Sequence, residues 1–176
     1  MTPAIAITTR STEQTAAVGA ALAAAIAAGD VVALYGPLGA GKTQFVKGLA
    51  AGLGVPPDEP VVSPTFVLVR EYQGRLRLFH LDLYRLHGAD DLESLGIEEL
   101  AAAPGAVIAI EWAERASTPV VTQGWSVRIE HAGANERAMS VAHHDSARIA
   151  ALVATETWRG IGVEAAMSPQ EFPDAK

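Results

Sequence analysis

The amino-acid sequence predicts an α/β protein with a P-loop NTPase-like, three-layer sandwich fold, in which a largely parallel central sheet carries antiparallel hairpins. Continuous apolar runs at residues 31–35 and 106–110 are typical of strands that are buried on both faces of a sheet. Apolar residues at helical spacing lie between such runs, as in βαβ units. Two pairs of short alternating segments, each joined by turn residues, predict the hairpins.

The first predicted strand, over residues 4–8, leads into a helix whose start is marked by Ser11. Serine is a preferred N-cap residue, and Gln14 three positions later completes a capping box. Val18 and Leu22 follow at helical spacing and predict the buried stripe of this helix. A contact between Ser11 and a nucleotide base is the alternative interpretation, and the spacing alone favours the cap.

Residues 36–43 read Gly-Pro-Leu-Gly-Ala-Gly-Lys-Thr and match the P-loop pattern G-x-x-x-x-G-K-[ST]. The pattern requires a strand before it and a helix after it, and both are predicted here. Its glycines let the backbone turn successive N–H groups toward phosphate oxygens. Lys42 would reach the β- and γ-phosphates, and the Thr43 hydroxyl would ligate Mg²⁺. The predicted nucleotide contacts in this loop are Leu38, Gly39, Ala40, Gly41, Lys42 and Thr43.

The second half of the chain contains both predicted hairpins. The first joins residues 67–72 to residues 76–81 through Gln73-Gly74, and the second joins residues 125–130 to residues 137–142 around Gly133. The other predicted elements are helical pieces over residues 90–95 and 97–102, the strand over residues 106–110 and a helix over residues 146–155.

Length and composition predict one P-loop domain, residues 1–158, followed by a flexible tail over residues 159–176. The chain has 176 residues, of which 49% are hydrophobic and 19% are charged, so it can bury a full core. From Gly160 onward the sequence is rich in turn residues and weakly apolar, which is typical of a flexible terminus.

Charge and cysteine content argue against several classes of protein. The net charge of −7 disfavours a free-standing nucleic-acid binder, so no direct DNA binding is expected. The absence of cysteine excludes disulfides and thiolate metal sites and fits a cytoplasmic location. The N-terminus lacks the pattern of a signal peptide, and the alanine-rich run over residues 16–28 is too short to span a bilayer. We therefore expect a soluble cytoplasmic protein with no membrane contact.

Two acidic residues, Asp82 and Glu111, end predicted strands. Ligands of open α/β sheets gather at the carboxyl ends of the strands. Glu111 follows a continuous apolar run, like the acid of a Walker B segment, whereas Asp82 taken alone is more simply interpreted as a solvated strand cap. Thr65 lies on the loop beyond the P-loop helix, where nucleotide switches place a threonine that senses the γ-phosphate. Near these acids, we interpret Trp112 as a packing residue and His80 as a core or rim residue of its strand, in preference to a metal ligand.

Four segments together resemble the bacterial TsaE (YjeE) family over about residues 5–155. These are the P-loop at residues 36–43, Ser-Pro-Thr-Phe at 63–66, His-Leu-Asp-Leu-Tyr-Arg-Leu at 80–86 and Ile-Glu-Trp at 110–112. The resemblance implies a small P-loop ATPase required for threonylcarbamoyladenosine modification of tRNA. It also implies TsaB and TsaD as partners, with TsaD performing the transfer and with tRNA reached only indirectly, through their complex.

The resemblance further implies ATP and Mg²⁺ as cofactors, with the metal at Thr43 and Glu111. It makes Asp82 essential for hydrolysis and adds nucleotide contacts from Ser11 and Arg137. The predicted catalytic residues are then Lys42, Asp82 and Glu111.

Two alternatives remain open from the residues alone. A stand-alone small-molecule kinase is disfavoured, because the sequence shows neither an arginine-rich lid segment nor the signature of a second substrate pocket. The other alternative is a nucleotide-gated assembly module with little turnover, in which ATP only orders the protein for assembly. Asp82 and Glu111 disfavour it, because ordering alone does not require two acids at strand ends. No N-K-x-D guanine motif is present, which favours ATP over GTP.

Overall fold

The computed structural model describes residues 2–86, 95–116 and 123–170. The strands in this part of the chain are β1 (Thr2–Thr9), β2 (Val31–Tyr35), β3 (Val69–Gln73), β4 (Arg77–Asp82), β5 (Ala106–Glu111), β6 (Trp125–His131), β7 (Arg137–His143) and β8 (Glu164–Gln170). The helices are α1 (Thr12–Ala23), α2 (Lys42–Gly52), α3 (Ile97–Ala102), α4 (Ser146–Ala154) and α5 (Glu156–Gly160), with a 3₁₀ turn at Ala113–Arg115. The predicted helical piece over residues 90–95 falls almost entirely outside the described residues.

The strands form one mixed sheet in the order β3-β4-β5-β2-β6-β7-β1-β8. Strands β4, β5, β2 and β6 are mutually parallel, and both predicted hairpins are present as the antiparallel pairs β3–β4 and β6–β7. Because β1 is antiparallel to β7, it points the same way as the parallel group. The α/β class is thus confirmed, and β1, β2, β4, β5 and β6 all end at the same edge of the sheet.

Alternate side chains of the central strands enter two separate cores. Val32 and Leu34 pack with α1, α2 and α4 on one face, whereas Val31 and Ala33 pack with α3 and the 3₁₀ turn on the other. This alternation follows from the two-residue period of a strand. Both faces of the parallel strands are covered, which explains why β2 and β5 read as unbroken apolar runs.

Helices α1 and α2 approach each other so closely that a side chain is excluded at Gly19, Gly48 and Gly52. A Cβ atom on Gly48 would lie 1.8 Å from the carbonyl oxygen of Ala16, and one on Gly19 would lie 2.2 Å from the carbonyl oxygen of Phe45. Both distances are far below van der Waals contact. The position of α2, which begins at Lys42, therefore depends on this glycine contact.

A flexible tail was expected over residues 159–176, and the part of it that the structure describes, residues 159–170, contains the end of a helix and a strand. Helix α5 continues to Gly160, and β8 pairs with β1 along its length, from Thr2 opposite Gln170 to Thr8 opposite Glu164. Without β8, the outer edge of β1 would leave a row of backbone N–H and C=O groups without partners in the sheet. Backbone pairing therefore orders a segment whose side chains carry little strand propensity.

No helix among the described residues combines the length and the apolar composition that crossing a membrane requires.

We predict that Gly48→Ala lowers the free energy of unfolding by about 1–3 kcal/mol, the usual cost of forcing extra atoms into a packed core. Alanine has the higher helix propensity, by about 1 kcal/mol, but the overlap with Ala16 outweighs that gain. Urea denaturation measures the change. Gly160→Ala is the matched control, because a Cβ atom there meets nothing within 4 Å; equal stability of both variants would contradict the packing argument.

Candidate functional site

The shared carboxyl edge of the strands borders a cavity of about 730 Å³. All the site residues predicted from the sequence line it. They are Ser11, Leu38, Gly39, Ala40, Gly41, Lys42, Thr43, Thr65, Asp82, Glu111 and Arg137. The parallel arrangement of the strands explains this convergence, because residues from distant parts of the chain emerge at one edge.

The P-loop runs from the end of β2 into α2 and depends on glycines in the left-handed region. Gly36, Gly39 and Gly41 have φ values of 137°, 74° and 111°. Residues other than glycine adopt such values only with strain. A Cβ atom on Gly36 would also lie 2.0 Å from the carbonyl oxygen of Ile129. The loop therefore curls tightly and delivers the amino end of α2 to the cavity.

Lys42 is 4% exposed, and its charge is compensated by neighbouring oxygens and an aromatic ring. Its Nζ donates to the carbonyl oxygens of Gly36 at 2.6 Å and Pro37 at 2.9 Å, and lies 3.9 Å from the centre of the Trp112 ring. Burial lowers the pKa of the Lys42 ammonium, while the carboxylates of Glu111, Glu114 and Asp82 oppose that shift. The ammonium is thus held at the turn of the P-loop, beside the cavity.

Thr43 and Glu111 meet across the interface between α2 and β5. The Thr43 hydroxyl donates to Glu111 Oε1 at 2.8 Å, and His80 Nε2 lies 2.8 Å from the same oxygen. A hydroxyl and a carboxylate are the kind of oxygen ligands that Mg²⁺ takes. No group of three or more His, Asp or Glu side chains in the described ranges could hold a metal alone. Thr43 and Glu111 are therefore the two residues of the cavity lining that could hold a divalent cation with their oxygens.

Asp82 lies beside Glu111, because the two residues are register partners on the parallel strands β4 and β5. Its Oδ2 accepts hydrogen bonds from the hydroxyls of Ser63 and Thr65, and the Thr65 bond measures 2.7 Å. Its Oδ1 accepts from the backbone N–H of Tyr84 at 2.9 Å. Asp82 is 3% exposed. Its hydrogen bonds to Ser63 and Thr65 connect the carboxylate to the loop that contains these two residues.

The opposite wall of the cavity contains Ser11 and Arg137. Ser11 Oγ accepts from the backbone N–H of Gln14 at 3.1 Å, so the predicted N-cap is present on a residue that also lines the cavity. The reciprocal bond of the capping box is shifted by one residue, since Gln14 Oε1 accepts from the N–H of Arg10. Arg137 Nε donates to the carbonyl oxygen of Ala40 at 3.0 Å and so braces the P-loop from β7.

Comparison with known proteins agrees with this arrangement. Residues 9–140 match the family model described as "Threonylcarbamoyl adenosine biosynthesis protein TsaE". The chain belongs to the TsaE family.

Two curated proteins named tRNA threonylcarbamoyladenosine biosynthesis protein TsaE illustrate the similarity. The one from Treponema pallidum is 44% identical over 122 residues, covering 68% of this chain and 88% of that protein. The one from Bacillus subtilis is 41% identical over 126 residues, covering 71% and 77%. The crystal structure of Bacillus subtilis YdiB has a TM-score of 0.70 at 32% identity and covers 86% of this chain and 95% of that one.

The residues matched to the TsaE family include every predicted site residue, whereas helices α4 and α5 and strand β8 lie beyond them. The site is therefore carried by the shared part of the fold. The carboxyl-terminal elements of this chain serve the core and the edge of the sheet.

Two aromatic residues of the cavity were missed as site residues. Trp112 was expected only to pack, and it does contact the core that is formed with α3 and the 3₁₀ turn. Its ring also lines the cavity and contacts the Lys42 ammonium. Its ring is 4.9 Å from that of Tyr84, which lines the cavity as well. Both follow the strand-end acids within two positions. That placement is the signal that could have identified them, because residues just beyond a strand end face the same edge.

Proposed function

We propose that this protein is a Mg²⁺-dependent ATPase that acts in threonylcarbamoyladenosine biosynthesis in tRNA, the process named for its TsaE relatives. The observation that carries the proposal is the single cavity of about 730 Å³ that joins the P-loop to Asp82 and Glu111. Cofactor sites typically occupy about 300–1,000 Å³. Family membership favours this function over a stand-alone small-molecule kinase.

The P-loop and Lys42 supply the phosphate site. The amides at the amino end of α2 are directed at the cavity together with the positive end of the helix dipole. Lys42 would exchange its bonds to the carbonyls of Gly36 and Pro37 for stronger, charge-assisted bonds to phosphate oxygens. Phosphate charge would also offset the effect of burial, which lowers the pKa of the ammonium.

Thr43 and Glu111 are the residues that would hold Mg²⁺. Because the Thr43 hydroxyl gives its only proton to Glu111, its lone pairs remain available to a cation. The Glu111 carboxylate adds the negative charge that a divalent cation requires. Mg²⁺ held by these two residues would supply positive charge beside the phosphate site.

Asp82 is the residue we assign to orienting the attacking water, and Thr65 the one we assign to sensing the γ-phosphate. The Asp82 carboxylate borders the same cavity as the P-loop but accepts hydrogen bonds from Ser63 and Thr65. If the Thr65 hydroxyl turned to a γ-phosphate oxygen, Asp82 would recover an acceptor position for water. This exchange would couple the binding of ATP to the readiness of the water-orienting group.

The same loop offers a physical route for partner control. Phe66 and Val67 follow Thr65 directly and are 83% and 57% exposed. Among the described residues, the Phe66 ring forms one cation–π contact, with the Arg85 guanidinium 4.4 Å from the centre of the ring. A partner that covered Phe66 would therefore act close to the donors of Asp82. We infer that this partner is the TsaB–TsaD complex, with tRNA reached through it, and that the protein is cytoplasmic.

Lys42→Ala should weaken MgATP binding by roughly tenfold to a hundredfold or more, because hydrogen bonds to charged groups contribute about 1.5–3 kcal/mol. Isothermal titration calorimetry measures the affinity. Lys47→Ala is the matched control, since Lys47 lies on the exposed side of α2. Unchanged affinity in a folded Lys42→Ala protein would refute the phosphate site.

The two acids should separate in their effects. Glu111→Ala should lose the part of the nucleotide affinity that depends on Mg²⁺, because a ligand of the ion is removed. Asp82→Ala should still bind MgATP but hydrolyse it about 100-fold more slowly, within the range of general acid–base contributions. Calorimetry and single-turnover hydrolysis distinguish the two, with the exposed Glu98→Ala as a control. Normal hydrolysis by Asp82→Ala would reduce that carboxylate to a strand cap.

ATP hydrolysis by the isolated protein should be slow and should rise when purified TsaB–TsaD is added. Supplying a missing transition-state group such as an arginine changes phosphoryl-transfer rates by ~10³ or more. Steady-state phosphate release at fixed MgATP, with and without the complex and without tRNA, measures the stimulation. Fast turnover that the complex leaves unchanged would argue against the proposed role and for an independent enzyme.

A further inference from the structure

His80 occupies an unusual place for a histidine, in the interior of the sheet. It lies on β4 with 0% exposure, on the same face as Asp82 two residues later. On the parallel neighbour β5, its register partner is Ala109, and Glu111 follows two residues later on that face. The strand pairing therefore brings the imidazole beside the Glu111 carboxylate, on the face of the sheet that also packs against α2.

The Glu111 carboxylate is held from two sides through one oxygen. His80 Nε2 and Thr43 Oγ1 each lie 2.8 Å from Oε1. One partner belongs to a strand and the other to the first turn of α2. With both bonds made, the carboxylate cannot rotate without breaking a hydrogen bond, and the Thr43 proton stays directed at Glu111.

The nitrogens of His80 indicate what the imidazole does. A carboxylate has no proton to give, so Nε2 carries the hydrogen and donates it to Glu111. Nδ1 is buried without a hydrogen-bond partner in the described part of the chain. An apolar side chain at this position would avoid the cost of burying an unpaired nitrogen. Among the described residues, the bond to Glu111 is thus the one hydrogen bond of the imidazole.

We propose that His80 is a positioning residue for the Mg²⁺ site, which fixes the Glu111 carboxylate beside Thr43 before nucleotide binds. The inference rests on the proposed function, because it concerns the Mg²⁺ that accompanies ATP. A ligand that is already oriented loses less conformational freedom when the ion binds. Hydrogen-bond partners of metal ligands commonly change metal affinity by about 10- to 100-fold.

The test compares three substitutions of His80 in the full chain. His80→Gln places an amide N–H near the position of Nε2, His80→Asn is too short to reach Glu111, and His80→Leu removes the donor. Calorimetric titration with ATP, in MgCl₂ and separately in EDTA, gives the factor by which Mg²⁺ raises nucleotide affinity. His143→Gln serves as the control for loss of a buried histidine, because His143 is 3% exposed and outside the cavity lining.

We expect His80→Asn and His80→Leu to reduce the Mg²⁺ factor by about tenfold or more, while affinity in EDTA stays within about twofold and His80→Gln stays close to wild type. A merely structural role would lower both affinities together. If His80→Leu fails to fold, the Gln and Asn pair decides the question. Equal Mg²⁺ factors in wild type and His80→Asn would overturn this inference and leave the proposed function standing. Failure of the wild type to bind ATP in either solution would overturn the proposed function, and this inference with it.

Discussion

Three charged side chains are buried at one edge of the sheet, and the rest of the site is built around their compensation. Lys42, Asp82 and Glu111 are each exposed by no more than 4%. Removing such groups from water costs several kcal/mol per ion unless neighbours replace the lost hydrogen bonds. Here the Lys42 ammonium donates to P-loop carbonyls. The Asp82 carboxylate accepts from loop hydroxyls and a backbone N–H, and the Glu111 carboxylate accepts from a threonine and a histidine. The need to satisfy these charges ties the P-loop, the loop at residues 63–65 and β4 to one another.

Much of the fold and the centre of the site could be predicted, because their signals are local. The P-loop is a run of eight residues whose glycines are required by its backbone angles. Glu111 ends an apolar run that is typical of a buried strand, and the rule for open α/β sheets then places it beside the P-loop. Asp82 gained its assignment from the resemblance as much as from its strand end. Its position opposite Glu111 in the register agrees with that assignment.

Several features that sequence reasoning missed are set by partners distant in the chain. β8 is ordered by the edge of β1, more than 150 residues earlier, and backbone hydrogen bonds leave no mark in side-chain pattern. His80 looked like a core residue because nothing local shows that its Nε2 meets Glu111. Likewise, Ser63 stood out only as part of a Ser-Pro-Thr segment, and its bond to Asp82 depends on how the loop folds back.

The resting contacts of the site bear on its chemistry. Lys42 is bonded to P-loop carbonyls and Asp82 to hydroxyls of the neighbouring loop, so the two groups are already satisfied within the chain. Binding of ATP would therefore exchange hydrogen bonds, and only contacts that are stronger in the transition state would accelerate hydrolysis. For Lys42 the exchange favours phosphate, because a charged acceptor replaces a neutral carbonyl. For Asp82 it would replace the Thr65 hydroxyl by water, which offers no comparable gain. If the proposed ATPase function holds, release of Asp82 would be the step that the site itself favours least. It would also be the step that a partner bound to the adjoining exposed loop would change most.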